Sequence, residues 1–240
     1  MPDTIEVLGY RIAAVTLEQA AAWILTAVAG SQSRLVVTLN PEIIVLSGQD
    51  PRLQEALAAS DLTVADGVGI LWAARRSGHH LPERVPGVEL VEHVLERGSS
   101  ALRVFLLGGR PGVAEKAAAR IREKYRSEVV GSHHGYFDRS KPEQVLELIG
   151  SSRPQLLLAG LGEGQELFLH RHRADFRTAV MMGVGGTLDV LSGEVSRTPK
   201  WTRRLGLEWA WRVGLDPRRW HRIPRLMRFA AMVVRNESLR

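Results

Sequence analysis

The sequence predicts an α/β protein: a Rossmann-like, mostly parallel sheet with helices on both faces, followed by a helical basic appendage. Three observations carry that reading. Six apolar runs each stop in a short loop built from Gly, Asn, Asp or Gln, at residues 38–40, 66–67, 108–112, 131–136, 160–165 and 183–186. After most of these loops a helical pattern begins, the alternation expected of βαβ units. Residues 197–240 then change character, with twelve Arg or Lys against three acids and four of the six Trp, while the rest of the chain holds 20 basic and 23 acidic side chains. That break divides the chain into an α/β core, residues 1–196, and an appendage, residues 197–240.

Each element has a local reason. Residues 5–12 read as a strand or a hairpin arm, and Thr16 with Gln19 fits a capping box opening a helix. Residues 34–39 are a strand with a β-branched centre, after which Asn40 caps a helix with Pro41 in its first position. Asp50-Pro51 restarts a helix, and residues 62–65 are a short strand that ends at Asp66-Gly67 before a helix running to residue 76. Residues 78–87 hold Gly, His and Pro and read as a loop, followed by a helix over 88–97. Strands are expected at 102–107, 128–131, 155–159 and 178–182, and helices at 111–126, 141–149, 165–172 and near Leu188. The appendage reads as helices over 203–213 and 217–236, with Pro224 marking a kink or restart. On the second, Trp220, Ile223, Leu226, Met227, Ala230, Ala231 and Val234 share one side, and Arg218, Arg222, Arg225, Arg228 and Arg235 fall largely on the other.

Composition narrows the chemistry. There are no cysteines, which excludes disulfides, thiolate nucleophiles and Cys-based metal sites. No basic segment precedes an apolar stretch at the N-terminus, and the most apolar helix is too short to span a bilayer, so a cytoplasmic protein is expected. The net charge of +6 is concentrated in the appendage. A basic amphipathic helix with Trp suits an anionic membrane surface. The same features suit nucleic acid, or a helix that packs its apolar face on the body and solvates the rest.

In open α/β sheets ligands gather outside the carboxyl ends of the strands, so the loops should converge on one site. Asp66 ends a strand and precedes Gly, which fits a general base, a partner for a ligand hydroxyl, or a helix N-cap. Gly108 and Gly109 open a turn into a helix, which is either a plain tight turn or a place where backbone N–H groups favour a diphosphate. That turn is not a Walker A motif, and it lacks the Gly-x-Gly-x-x-Gly spacing. Gly162 lies in a second such turn, before Gln165, whose amide suits sugar hydroxyls. Gly185 lies in a third, before Asp189, which either takes ribose hydroxyls or sits on a solvated helix face. Arg84 belongs to a loop expected to overhang the site. The pairs His79-His80 and His133-His134 are adjacent residues, a poor arrangement for one ion, so neither a metal nor a cofactor is expected. The rhythm alone also admits a nucleotide-binding oxidoreductase, and the tail alone a nucleic-acid-binding protein.

Several motifs occur together and in order: Thr38-x-Asn40-Pro41, Ala65-Asp66-Gly67-x-Gly69, Glu83-Arg84-Val85-x-Gly87, Phe105-Leu106-Leu107-Gly108-Gly109, His134-Gly135-Tyr136-Phe137, Gly160-Leu161-Gly162, Gln165-Glu166, Gly183-Val184-Gly185-Gly186, Arg197-x-Pro199-x-Trp201 and Leu207-Glu208-Trp209 through Arg212. In these the chain resembles the WecG/TagA/CpsF glycosyltransferases, glycosyltransferase family 26. The resemblance implies inverting, metal-independent transfer of a hexose or N-acetylhexosamine, of the N-acetylmannosamine type, from a UDP-sugar. The implied acceptor is a lipid-diphosphate-linked sugar on undecaprenyl diphosphate, in teichoic acid, capsule or exopolysaccharide synthesis. It implies Asp66 as catalytic base, with Thr38, Asn40, Arg84 and Gln165 in the site and Arg212, Arg219 and Arg222 as appendage cations. Tyr136 and Asp189 are assigned to the nucleoside. The implied setting is peripheral, on the inner face of the plasma membrane at an anionic surface, with self-association allowed and no nucleic-acid partner. The chain departs from the family pattern at Glu163-Gly164, where Pro-Lys is usual, and the lost positive charge should disfavour an acidic donor sugar or alter the contacts to the diphosphate.

Overall fold

The computed structural model describes residues 2–98, 101–125, 127–199, 202, 208, 211, 214 and 217–235, the last segment without the side chains of 217–219. Strands β1 (Thr4–Val7) and β2 (Tyr10–Ala13) form an antiparallel hairpin. Its two-residue turn, Leu8-Gly9, has φ of 52° and 87°, the backbone hand that matches twisted strands. The other six strands form one parallel sheet: β3 (Arg34–Leu39), β4 (Leu62–Ala65), β5 (Arg103–Gly108), β6 (Glu128–His133), β7 (Leu156–Gly160) and β8 (Val180–Gly183). Their spatial order is β4-β3-β8-β7-β5-β6.

Alternate residues of each strand feed opposite faces. Leu35, Val37 and Leu39 join one core with α2 (Pro41–Ser47), α3 (Pro51–Ala58), α4 (Val68–Arg76), α7 (Glu143–Ser152) and α8 (Gln165–Arg171). Val36, Val64, Leu106 and Leu158 join the other, against α1 (Leu17–Ala27), α5 (Gly87–Arg97), α6 (Val113–Tyr125) and α9 (Thr187–Leu191). Covering both faces is what lets every strand be a nearly continuous apolar run. The chain leaving β5 or β8 therefore goes to one face, and the chain leaving β7 or β3 goes to the other. Where neighbours diverge, a crevice opens at the carboxyl ends.

The predicted caps form. Thr16 Oγ1 accepts the Gln19 N–H at 3.2 Å while Gln19 Oε1 accepts the Thr16 N–H at 2.9 Å. Asn40 Oδ1 accepts the Ile43 N–H at 3.1 Å, with Pro41 opening α2.

Two readings need correction. Strand β6 was expected to stop at Gly131, but it continues to His133, pairing Phe105 with Gly131 and Leu107 with His133. A Cβ at Gly131 would lie 2.5 Å from Phe105 Cε2, so the glycine here makes room for a ring rather than ending a strand. Ser132 and His133 look like loop residues because β6 is an edge strand, whose outer side is not buried.

The second correction concerns the appendage. Its first predicted helix falls almost wholly outside the described residues. The second begins as a 3₁₀ turn (Pro217–Arg222) and restarts as α10 (Ile223–Arg235) beside Pro224. The stripe buried against the body is Phe229, Met232 and Val233, which packs on α2 and α4. The side read as the apolar face stays largely open, with Met227 68% and Val234 59% exposed. This helix has two apolar stripes; one docks it and the other remains available.

Candidate active site

A cavity of about 1720 Å³ opens at the carboxyl ends of the strands, between the sheet and α10. Thr38, Asn40, Asp66, Arg84, Gly109, Tyr136, Gly162, Gln165, Gly185, Asp189 and Arg222 all line it, so residues up to 184 positions apart meet in one place. A second cavity, of about 900 Å³, lies between α7 and residues 171–177 and contains none of them. Three of the predicted residues stand apart. Gly108 packs behind the wall, because a Cβ there would lie 2.3 Å from the Gly160 carbonyl oxygen. Its φ of 143° and this backbone-to-backbone approach make it a structural glycine. Arg212 lies outside the described residues, as does the side chain of Arg219.

Asp66 does not cap its helix. The N-cap of α4 is Gly67, at φ 104°, and no side chain caps it. Instead Asp66 Oδ2 accepts the Gly87 N–H at 3.4 Å, at the N-terminus of α5. The Thr38 side chain packs on the same spot, since a Cβ on Gly87 would lie 3.4 Å from both Thr38 Oγ1 and Thr38 Cγ2. Three loops thus hold one carboxylate at the cavity floor, where it remains half-buried.

Arg84 is not a solvated surface cation. It forms an ion pair with Glu208 of the appendage, and Glu208 Oε1 also accepts the Thr198 hydroxyl at 2.9 Å. Two other appendage arginines tie down the opposite rim: Arg222 approaches Glu42 at 3.5 Å, and Arg225 pairs with Glu163. The Arg225 guanidinium holds the Glu163 carboxyl below its ordinary range. Arg139 supports the same glycine turn by donating to the Glu163 carbonyl at 3.0 Å and to the Leu161 carbonyl.

Gln165 is buried, and both ends of its amide are engaged. Its Nε2 donates to Glu166 Oε1 at 2.8 Å, and its Oε1 accepts the Gly185 N–H at 3.1 Å. Thr38 Oγ1 donates to the Gly183 carbonyl at 3.3 Å. Together Thr38 and Gln165 fix the loop after β8 from two sides. Burial pushes the Glu166 carboxyl above its ordinary value. Among the described residues, no group of three or more His, Cys, Asp or Glu is placed to hold a metal ion. His133 Nδ1 bonds instead to the His134 carbonyl at 2.8 Å.

The sequence reading missed several wall residues. Glu166 and Glu208 sit inside quoted motifs without an assigned role, Arg110 lies just after one, and Arg75 looks like any other charge on a helix. The one available signal was Arg110, which directly follows the Gly108-Gly109 turn. No helix among the described residues is long and apolar enough to cross a membrane.

Comparison with known proteins identifies the family. Residues 5–240 match the profile of the Glycosyl transferase WecG/TagA/CpsF family. An N-acetylglucosaminyldiphosphoundecaprenol N-acetyl-beta-D-mannosaminyltransferase of Bacillus spizizenii is 31% identical over 210 residues, covering 86% of this chain and 81% of that protein. The enzyme of the same description from Bacillus subtilis is 32% identical over 208 residues, covering 85% and 80%. That from Staphylococcus aureus is 35% identical over 193 residues, covering 80% and 74%. With the profile spanning sheet, cavity and appendage alike, the chain belongs to the WecG/TagA/CpsF family of glycosyltransferases.

Proposed function

We propose that this protein moves an N-acetylhexosamine, of the N-acetylmannosamine type, or a hexose from a UDP-sugar to a sugar on undecaprenyl diphosphate, with inversion, during synthesis of a cell-surface polysaccharide. The relatives are named for an acceptor of this kind, N-acetylglucosaminyldiphosphoundecaprenol. The observation that carries the mechanism is the placement of Asp66: off its own helix cap, held by the Gly87 N–H, on the cavity floor beside the glycine turns.

In this reading Asp66 takes the proton of the acceptor hydroxyl. The hydroxyl oxygen bonds to the anomeric carbon from the face opposite UDP, and the bond from that carbon to the diphosphate oxygen breaks. UDP leaves as an anion. Its charge is met by wall arginines including Arg84 and Arg110 and by backbone N–H groups of the glycine turns other than those of Gly109 and Gly185, which bond to the Gly160 carbonyl and to Gln165 Oε1, without a metal ion. Tyr136 and Asp189 flank the nucleoside end. Thr38 and Gln165 act through the β8 loop that they fix.

Residues 197–240 form an appendage that completes the site and meets an anionic membrane surface. The ion pairs from Glu208 and Arg225 to the core support the first role. The exposed Trp220 and Val234, which are not part of the cavity wall, together with Arg228 and Arg235 of the same segment, support the second.

The test is a panel of UDP-sugars assayed for transfer onto N-acetylglucosaminyl diphosphate carrying a lipid chain, with and without EDTA. Transfer from one or a few donors, unchanged by chelator, is expected. A protein that binds UDP yet transfers no sugar from any donor defeats the reading, and loss of transfer in EDTA defeats its metal-free part.

A further inference from the structure

The cavity is ordered along the carboxyl edge of the sheet. The glycine turns after β5, β7 and β8 occupy one half, Thr38 follows at the end of β3, and Asp66 stands at the end of β4, the edge strand. Beyond Asp66 the wall is no longer made of turns. It consists of α2, α4 and α10, and apart from Glu42, which pairs with Arg222, its lining there is largely apolar: Trp72 from α4, with Ile223, Leu226 and Met227 from α10. Trp72 is 41% exposed and Met227 68%, an unusual cost for side chains of this size unless something covers them.

Two cations border the strip. Arg75 lies three residues after Trp72, on the same side of α4. Arg222 immediately precedes Ile223, and its Nε is buried with no hydrogen-bond partner among the described residues. A buried donor of that kind calls for an acceptor. An apolar strip ending in two arginines, next to the proposed base, matches an amphiphile with a negatively charged head.

Resting on the acceptor class proposed above, we propose that Trp72, Ile223, Leu226 and Met227 hold the first isoprene units of a polyprenyl diphosphate, with Arg75 and Arg222 on its diphosphate. The occupant is a single chain rather than the bilayer. The strip lines the same cavity as Asp66 and so faces inward, whereas Trp220 and Val234, also exposed, are not part of the cavity wall.

The experiment is calorimetric titration of the full chain with farnesyl diphosphate, inorganic diphosphate and UDP. Wild-type protein should bind farnesyl diphosphate at least about tenfold more tightly than inorganic diphosphate, the scale of burying a few methylenes. Trp72→Ser and Met227→Ser should each erase most of that preference while leaving UDP affinity unchanged, which also reports correct folding. Trp220→Ser should keep it. Equal affinity of wild type for the two diphosphates, or an intact preference in both strip variants, overturns the proposal. So does release of those variants from phosphatidylglycerol vesicles with the farnesyl preference retained, which would make the strip a bilayer contact. Because no sugar transfer is read, an intact preference in a protein that transfers nothing would refute the proposed reaction and leave this subsite standing.

Discussion

Arg84 and Glu208 lie 124 residues apart and form an ion pair at the mouth of the cavity. Thr198, at the start of the appendage, donates to the same carboxylate. The loop at residues 81–87 and the appendage are therefore fastened to each other here, and one of the cations proposed to meet the leaving group is set by a residue of the tail. Glu208→Ala and Arg84→Ala should each reduce turnover. A double-mutant cycle on kcat/KM should return a coupling of about 1–3 kcal/mol, as for contacting residues in one network. Effects that add to within about 0.5 kcal/mol would mean that the contact does not matter to the reaction.

Asp66→Asn removes the proton acceptor and keeps the shape and the contact with Gly87. Turnover should fall by about 10²–10⁴-fold, the usual worth of a general base. UDP affinity and melting temperature should stay near wild type. Near-normal steady-state turnover would return Asp66 to a positioning role.

The sheet was legible because its strands are apolar on both faces and its turns are built from a few residue types. Residues 34–39 and 62–65 were bounded correctly from pattern alone, and so were the caps at Thr16 and Asn40. The site was legible at Asp66, where a strand end meets a glycine. What stayed hidden were relationships across the chain. Nothing local says that Asp66 would give up its cap position for the Gly87 N–H, 21 residues on. Nothing local says that Gln165 would spend both ends of its amide on neighbours, or that Phe229 rather than Trp220 would face the body. These depend on which elements become adjacent, and the 3.6-residue period of α10 fits either apolar stripe.

The Glu163–Arg225 pair gives the appendage a pH dependence of defined sign. The folded-state value of Glu163 is depressed by Arg225, so the contact contributes above the ordinary carboxylate range and is lost as pH falls through the lowered value. The chain has no native cysteine, so spin labels placed at Ser140 and Arg228 report on this rim alone. Their distance distribution should broaden on acidification. Glu163→Gln should be broad already at neutral pH and respond little to acid. A wild-type distribution that ignores pH would show that the pair does not hold α10.

Glu166 has the opposite sign. Burial raises its folded-state value, so its penalty is absent below the ordinary carboxylate range and grows as pH rises towards the raised value. Glu166→Gln keeps an acceptor for Gln165 Nε2 and removes the ionisation. It should melt higher than wild type at pH 8 and differ less at pH 4. The reverse ordering in thermal unfolding would point to an ionised, functionally paired carboxylate.

Gly183→Ala tests the clamp on the β8 loop. The added Cβ would lie 2.8 Å from Gln165 Nε2 and 3.1 Å from Glu166 Oε1, so Gln165 must move. A loss of about 1–3 kcal/mol in denaturant unfolding is expected from such overpacking, together with weaker UDP binding. Unchanged UDP affinity would place the donor away from this loop.

Helix α4 begins only two residues after Asp66 and carries Trp72 on its second turn. With a rise of about 1.5 Å per residue, Trp72 lies about 6 Å along the helix axis from Val68, the first helical residue after Gly67. The proposed proton acceptor and one of the proposed hydrocarbon contacts are thus carried by a single short stretch of the core, Asp66 to Trp72. On the subsite proposed above, an acceptor shortened by one phosphate should transfer more slowly, because its hydroxyl would reach Asp66 only by drawing its lipid away from Trp72.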